Sequence, residues 1–220
     1  MATFALIHGA GDVASNWDLV AAELRRRGHD VVAVDLPCED DSAGWNEYAD
    51  TVVAAVGNRS DLVVVAHSLG AFTGALVCDR LPARLLVLVA GMIPAPGETA
   101  GDWWSASGHD DAAREEAVEH DGSDIAVFMH DVPPERAARA LAKGRDQSAT
   151  PMTQPWPLDA WPDVPTRYLL CRDDRVLPAE WVRQFVQERL GITADEIEGS
   201  HCPFLSRPEE LADRLEAYAV

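Results

Sequence analysis

Short apolar runs alternate along the chain with stretches of helical periodicity. Residues 3–8 (TFALIH) read as a buried strand. Residues 15–27 (SNWDLVAAELRRR) read as a helix, with Ser15 as its N-cap and Gly28 placed to end it. Residues 31–36 (VVAVDL) predict a second strand, stopped by Pro37, and residues 44–56 an amphipathic helix. The alternation continues with a strand at 61–66 (DLVVVA), a helix at 69–80 (LGAFTGALVCDR) and a strand at 84–90 (RLLVLVA). After a break it resumes. Residues 166–171 (TRYLLC) predict a strand, 179–190 a helix, 194–198 a weak edge strand and 207–219 a final helix. Pro208 sits where a first-turn proline is tolerated.

This alternation implies an α/β fold, a mostly parallel sheet of about six strands with helices on both faces. Right-handed crossovers then fix most of the topology. Residues 92–162 interrupt the rhythm. They hold eight prolines, at 94, 96, 133, 134, 151, 155, 157 and 162, together with Trp103, Trp104, Trp156 and Trp161. Helices are predicted inside this stretch at 110–120 and 134–143. A long insertion between two strands is usually functional, and four tryptophans argue that this one packs. The chain therefore reads as a single domain, 1–220, with 92–162 as a cap or lid inserted into it.

Composition narrows the function classes. Apolar residues make up 47% and charged residues 25%, which is ordinary globular usage. The net charge of −19 disfavours nucleic acid and anionic membrane as partners, since both are polyanions. Cys38, Cys78, Cys171 and Cys202 form no C-x-x-C pair, so four reduced thiols are expected. No apolar run reaches the roughly 18 residues that span a bilayer. The opening MATFALIHGAGD lacks a basic leader segment, and the expected location is the cytoplasm. Composition sets no oligomeric state.

Three stretches carry candidate chemistry. The first is Ala66-His67-Ser68-Leu69-Gly70, which leaves a strand and opens a helix, the context of a nucleophile elbow. A sharp turn there presents the serine, and the helix N-terminus offers free N–H groups to a developing oxyanion. Ala66 stands where the elbow pattern has glycine, and an ordinary small-residue turn has the same appearance. The second stretch is His8-Gly9-Ala10-Gly11, at the exit of the first strand. It reads as an oxyanion loop donating the Ala10 N–H, with the Leu69 N–H as second donor, or as a tight loop before a helix. A dinucleotide fingerprint fails here because Ala14 occupies the third glycine position, and no Walker lysine is present.

The third comprises two late loops, Arg172-Asp173-Asp174-Arg175 and Gly199-Ser200-His201-Cys202-Pro203. A serine hydroxyl needs a base, and the base needs a carboxylate to hold its tautomer. Among seven histidines, only His201 follows both the serine and an acid loop, although a surface-loop histidine is the alternative. Asp174 is preferred to Asp173, which becomes a loop or capping residue. His8 and His67 end strands nearby and read as packing or loop support. Cys202 reads as a small packing residue rather than a reactive thiol. No metal-ligand spacing occurs, and no cofactor is expected. Asp12, just past the oxyanion loop, is expected to point away or to cap the following helix.

Taken together, HGAG, AHSLG, DDRVLP and GSHCPFLSRPEELADRL resemble the α/β-hydrolase fold family in order and spacing over nearly the whole chain. AHSLG in place of GHSLG is a known variation of the elbow. Within the family the chain looks like the small esterases related to plant methylesterases and hydroxynitrile lyases, and like their bacterial relatives. The N-terminal hairpin of larger members has no counterpart here. The related lyases carry a lysine and a threonine where this sequence has Cys202 and Gly9, which disfavours cyanohydrin cleavage. A haloalkane dehalogenase would need an aspartate at position 68, which is serine.

The resemblance implies a serine hydrolase of small carboxylic esters. Ser68 would be the nucleophile, His201 the base, Asp174 its orienting acid, and the Ala10 and Leu69 N–H groups the oxyanion hole. The cap residues Trp103, Trp104, Phe128 and Met129 are expected to form an apolar acyl or aryl pocket with Gly9 and His67. Lyase, thioesterase or perhydrolase chemistry on the same scaffold is the alternative, as is a ligand-binding member without turnover.

Overall fold

The computed structural model describes residues 1–109 and 121–219. Six strands form one sheet: β1 (Thr3–Ile7), β2 (Asp30–Val34), β3 (Leu62–His67), β4 (Ala83–Val89), β5 (Thr166–Cys171) and β6 (Asp195–Ile197). They hydrogen-bond in the order β2-β1-β3-β4-β5-β6, and every pair is parallel. Every residue of β1 and β3 is buried, the expected state of a strand covered on both faces. The coverage comes from two helix layers. Helix α1 (Asp18–Arg26) packs on the last helix, Pro208–Tyr218, and α2 (Trp45–Val56) packs on α3 (Gly70–Arg80). Among the described residues no helix is long and apolar enough to cross a membrane.

The strand order reverses at β1, which pairs with β2 on one side and β3 on the other. Crossovers leave this point toward opposite faces, so a crevice opens beyond the C-terminal ends of β1 and β3. The sequence puts His8-Gly9-Ala10 at one of these ends and Ser68 at the other.

Between β4 and β5 lie α4 (Ala100–Ala106), α5 (Asp124–Phe128), α6 (Pro134–Leu141) and α7 (Ala149–Thr153). Helix α6 answers the pattern at 134–143, and the stretch at 110–120 lies outside the described residues. Trp156 Nε1 donates to Phe72 O (3.2 Å) and Trp45 Nε1 to Gln154 O (3.0 Å), tying this segment to α2 and α3. Beyond it follow α8 (Ala179–Leu190), α9 (Pro203–Ser206) and α10 (Pro208–Tyr218).

The first helix begins differently from its pattern. A 3-10 turn, Ala14–Trp17, precedes α1, and Ser15 lies inside it without capping anything. The Ser15 hydroxyl instead accepts from Lys143 Nζ (2.9 Å). The turn is held by Asp12, whose Oδ1 accepts from the Val13 N–H (2.8 Å) and from the Asn16 amide. Asp12 thus braces the entry to the turn through the Val13 N–H and the Asn16 side chain, but it caps none of the turn's own N–H groups, so the expected capping of the following helix is not met.

Candidate active site

Helix α3 starts almost directly after β3, and Ser68 lies between them at φ +50°. The left-handed region strains a non-glycine residue by about 1–3 kcal/mol. Three hydrogen bonds enforce it. Ser68 N–H donates to Val89 O (3.2 Å), and Ser68 O accepts from Ala71 N–H (3.1 Å) and Met92 N–H (3.0 Å). The side chain lines a cavity of about 520 Å³. The Leu69 N–H follows at the helix N-terminus and donates to nothing among the described residues.

Across the crevice, His8 organises the loop after β1. Its Nε2 accepts from the Leu36 N–H (2.9 Å) and from Arg145 Nη2 (3.2 Å). Neither of these groups can accept a proton in return, so the imidazole proton is on Nδ1. Nδ1–H then donates to Gly9 O (2.7 Å). Burial, the largest influence, pushes the His8 pKa down and keeps the ring neutral. Among the described residues no peptide is cis, so the Ala10 N–H, which shares a peptide plane with Gly9 O, points away from His8. That N–H also donates to nothing among the described residues.

A loop after α6 clamps the same region. Arg145 N–H donates to Gly11 O (2.7 Å), and the Gly11 N–H donates to Gln147 Oε1 (3.2 Å). The Arg145 guanidinium donates to Asp12 O (2.8 Å) and Leu36 O (3.0 Å). Gly11 has φ +59°, and a Cβ there would stand 2.5 Å from Arg145 O. Only glycine admits both the turn and the clamp. Arg145 and Gln147 carry no signal in the sequence, because nothing local marks them as partners of a distant glycine.

The third component comes from the late loops. His201 Nδ1–H donates to Asp174 Oδ2 (2.7 Å), and both residues are buried. Asp174 Oδ1 accepts from the Val176 N–H (2.8 Å) and the Leu177 N–H (3.1 Å), which fixes the carboxylate. His201 also lines the cavity, and its Nε2 has no hydrogen bond among the described residues. Ser68 and His201 thus share one cavity wall without a hydrogen bond between them in this geometry. Such contacts are often loose until substrate is bound. Asp173 acts elsewhere. Its Oδ2 accepts from the Gly199 N–H (2.9 Å) and ties the two loops together.

Other side chains hold this arrangement. His67 Nε2–H donates to His201 O (2.9 Å), and burial, reinforced by the neighbouring His201, pushes its pKa well down. The Ser200 hydroxyl donates to Asp131, and His130 Nε2–H donates to Asp173 O (2.8 Å). One short segment after α5 therefore bridges both loops, a role no motif announced. Cys202 lines the cavity, but burial pushes its thiol well up, so it is not a thiolate.

Of the expected pocket residues, Gly9, His67, Phe128 and Met129 line the cavity. Trp103 and Trp104 do not. Trp103 is fully buried, and its Nε1 donates to Ile93 O (3.0 Å). Its ring meets Trp104, Trp181 and Phe185 edge-on at 5.1, 5.6 and 5.4 Å. Trp103 anchors α4 against α8, because that is where apolar surface awaited it. Asn16, Leu141 and Leu205 line the cavity instead.

Residues 4–214 match the model of the alpha/beta hydrolase family, and the chain belongs to that family. It is 26% identical to a pyrethroid hydrolase of Sphingobium wenxiniae, with 97% of this chain and 86% of the relative covered. It is 25% identical to methylesterase 7 of Arabidopsis thaliana, covering 96% and 94% of the two chains. In three dimensions it is similar to polyneuridine aldehyde esterase, with a TM-score of 0.82 at 20% identity and all of both chains covered.

Proposed function

We propose that this protein is a serine-dependent hydrolase of small carboxylic esters. The observation that carries the reading is Ser68 at φ +50° on a strand-to-helix turn, in one cavity with a histidine already bonded to a buried aspartate. Ester-hydrolysing relatives covered over most of their length support it.

In this reading Ser68 Oγ attacks the ester carbonyl carbon while His201 Nε2 takes its proton. The carbonyl oxygen becomes an oxyanion facing the unengaged N–H groups of Ala10 and Leu69, each donor contributing about 2.7–4 kcal/mol. His201 then protonates the leaving alcohol, and the acyl group remains on Ser68. Water, deprotonated by the same imidazole, releases the acid. Asp174 keeps the His201 proton on Nδ1 and stabilises the imidazolium. Residues 92–162 act as a cap within one domain and supply the apolar wall through Phe128 and Met129.

A fluorophosphonate probe should label the protein, and Ser68→Ala should abolish labelling. Labelling that persists in the variant removes Ser68 from the mechanism. A panel of p-nitrophenyl esters and acyl thioesters should show ester turnover dominating, and exclusive thioester turnover would overturn the assignment.

A further inference from the structure

An uncharged ester requires no carboxylate in its pocket, yet Asp12 lines this cavity beside Ala10, Asn16 and Ser68. Oδ1 is occupied by the Val13 N–H and the Asn16 amide. Oδ2 makes no hydrogen bond or ion pair among the described residues, and Asp12 lines the cavity. Arg145 is the only permanent cation among the described lining residues, and its Nε, Nη1 and Nη2 groups donate to Asp12 O, Leu36 O and His8. It makes no ion pair with the Asp12 carboxylate, although its charge, held on Asp12 O, still favours the ionised form. Two exposed carboxylates, Asp124 and Asp146, line the same cavity. Much of the remaining wall is apolar, including Phe128, Met129, Leu141 and Leu205.

A carboxylate drawn out of water, with one oxygen lacking a hydrogen-bond donor, gains from a ligand that brings both a donor and a positive charge. We propose that Asp12 Oδ2 is a specificity determinant that binds a primary ammonium group on the substrate, while the apolar wall takes the attached alkyl chain. The preferred substrates are then esters bearing an amine, and esters bearing a free carboxylate are rejected. A hydroxyl could occupy the same place, but three carboxylates in the cavity and a net charge of −19 favour a cation over a neutral donor. An ammonium also makes a charge-assisted bond, roughly twice as strong as a neutral one. The proposal rests on the esterase reading only in taking this cavity as the substrate site.

The test compares three ligands of matched length: n-hexylammonium, 1-hexanol and hexanoate. Their binding to the full chain is measured by calorimetry, and separately as competition against p-nitrophenyl butyrate hydrolysis. Hexylammonium should bind at least about tenfold more tightly than hexanol, with hexanoate weakest. Asp12→Asn keeps an oxygen for Val13 and Asn16, and it should bring hexylammonium to within about threefold of hexanol. The proposal is overturned if the ammonium and the alcohol bind alike, if none of the three binds, or if the preference survives in Asp12→Asn. Should that variant fail to fold, the comparison in the unaltered protein still decides. Calorimetry needs no turnover, so an ammonium preference without ester hydrolysis would sink the esterase reading alone. Hydrolysis without the preference would sink only the role of Asp12.

Discussion

Ala66 and Gly74 form a steric pair, and the elbow depends on it. Helix α3 lies close against β3, and a Cβ built on Gly74 would stand 2.7 Å from the Ala66 methyl carbon. Carbon atoms prefer about 3.5–4.0 Å, so Gly74→Ala must push α3 away from the strand that positions Ser68. Such overpacking costs about 1–3 kcal/mol, and the better helix propensity of alanine returns about 1 kcal/mol. The single variant should therefore lose about 0–2 kcal/mol of stability. The next neighbours of the new methyl, Leu86 Cδ1 at 3.4 Å and Val64 Cγ1 at 3.6 Å, sit near ordinary contact distance. Removing the Ala66 methyl thus removes the clash. In an Ala66→Gly background, Gly74→Ala should be stabilising by about 1 kcal/mol, because propensity is all that remains. Equilibrium urea unfolding of the four proteins measures the coupling, expected at about 1–3 kcal/mol in favour of the double variant. Additivity within about 0.5 kcal/mol would refute the steric reasoning. Esterase kcat should follow the same pattern, depressed by Gly74→Ala and recovered in the double variant, since Ser68 and Leu69 join the two elements.

Four further outcomes are expected. Asp174→Asn should lower kcat by about 10⁴-fold through the wrong His201 tautomer. Asp173→Ala, which loses the Gly199 N–H bond, should lower stability by roughly 1–3 kcal/mol and kcat by less than about tenfold. A larger kcat loss in Asp173→Ala than in Asp174→Asn in steady-state assays would reverse the roles of the two acids. Trp103→Ala should cost about 3–5 kcal/mol in denaturant unfolding, yet leave KM for p-nitrophenyl butyrate within about twofold, and a large KM change at unaltered stability would return Trp103 to the substrate pocket. His8 and His67 are held neutral with pKa values below the ordinary 6.5, so unfolding takes up protons once the pH falls beneath that value. Stability should then decline with acidification below about pH 6.5, by up to about 1.4 kcal/mol per pH unit for each histidine. Urea midpoints between pH 7.5 and 5.5 measure this, and His67→Gln, which keeps a donor for His201 O, should make the slope shallower.

Much of the fold was legible because its signals are local. Apolar runs such as TFALI and LVVVA can be satisfied only inside a sheet covered on both faces, and β1 and β3 are there. HGAG and AHSLG leave such strands directly, so their place at the C-terminal sheet edge followed from chain direction alone. The weak run at 194–198 was readable only as an edge strand, and β6 is three residues long on the sheet's edge. The chain order Ser68, Asp174, His201 was equally visible, and the structure joins the last two by a hydrogen bond.

What tertiary packing alone decided is where side chains of the 92–162 segment point. A tryptophan's composition says that it will be buried, but its partners settle which surface it covers, and Trp181 and Phe185 drew Trp103 away from the cavity. The same holds for Arg145 on Gly11 and for Asp12, whose Oδ1 binds Val13 and Asn16 while the residue lines the cavity. Periodicity along a chain reports which residues leave water. The direction in which a charged group points depends on contacts between residues far apart in the chain, and those exist only once the chain has folded.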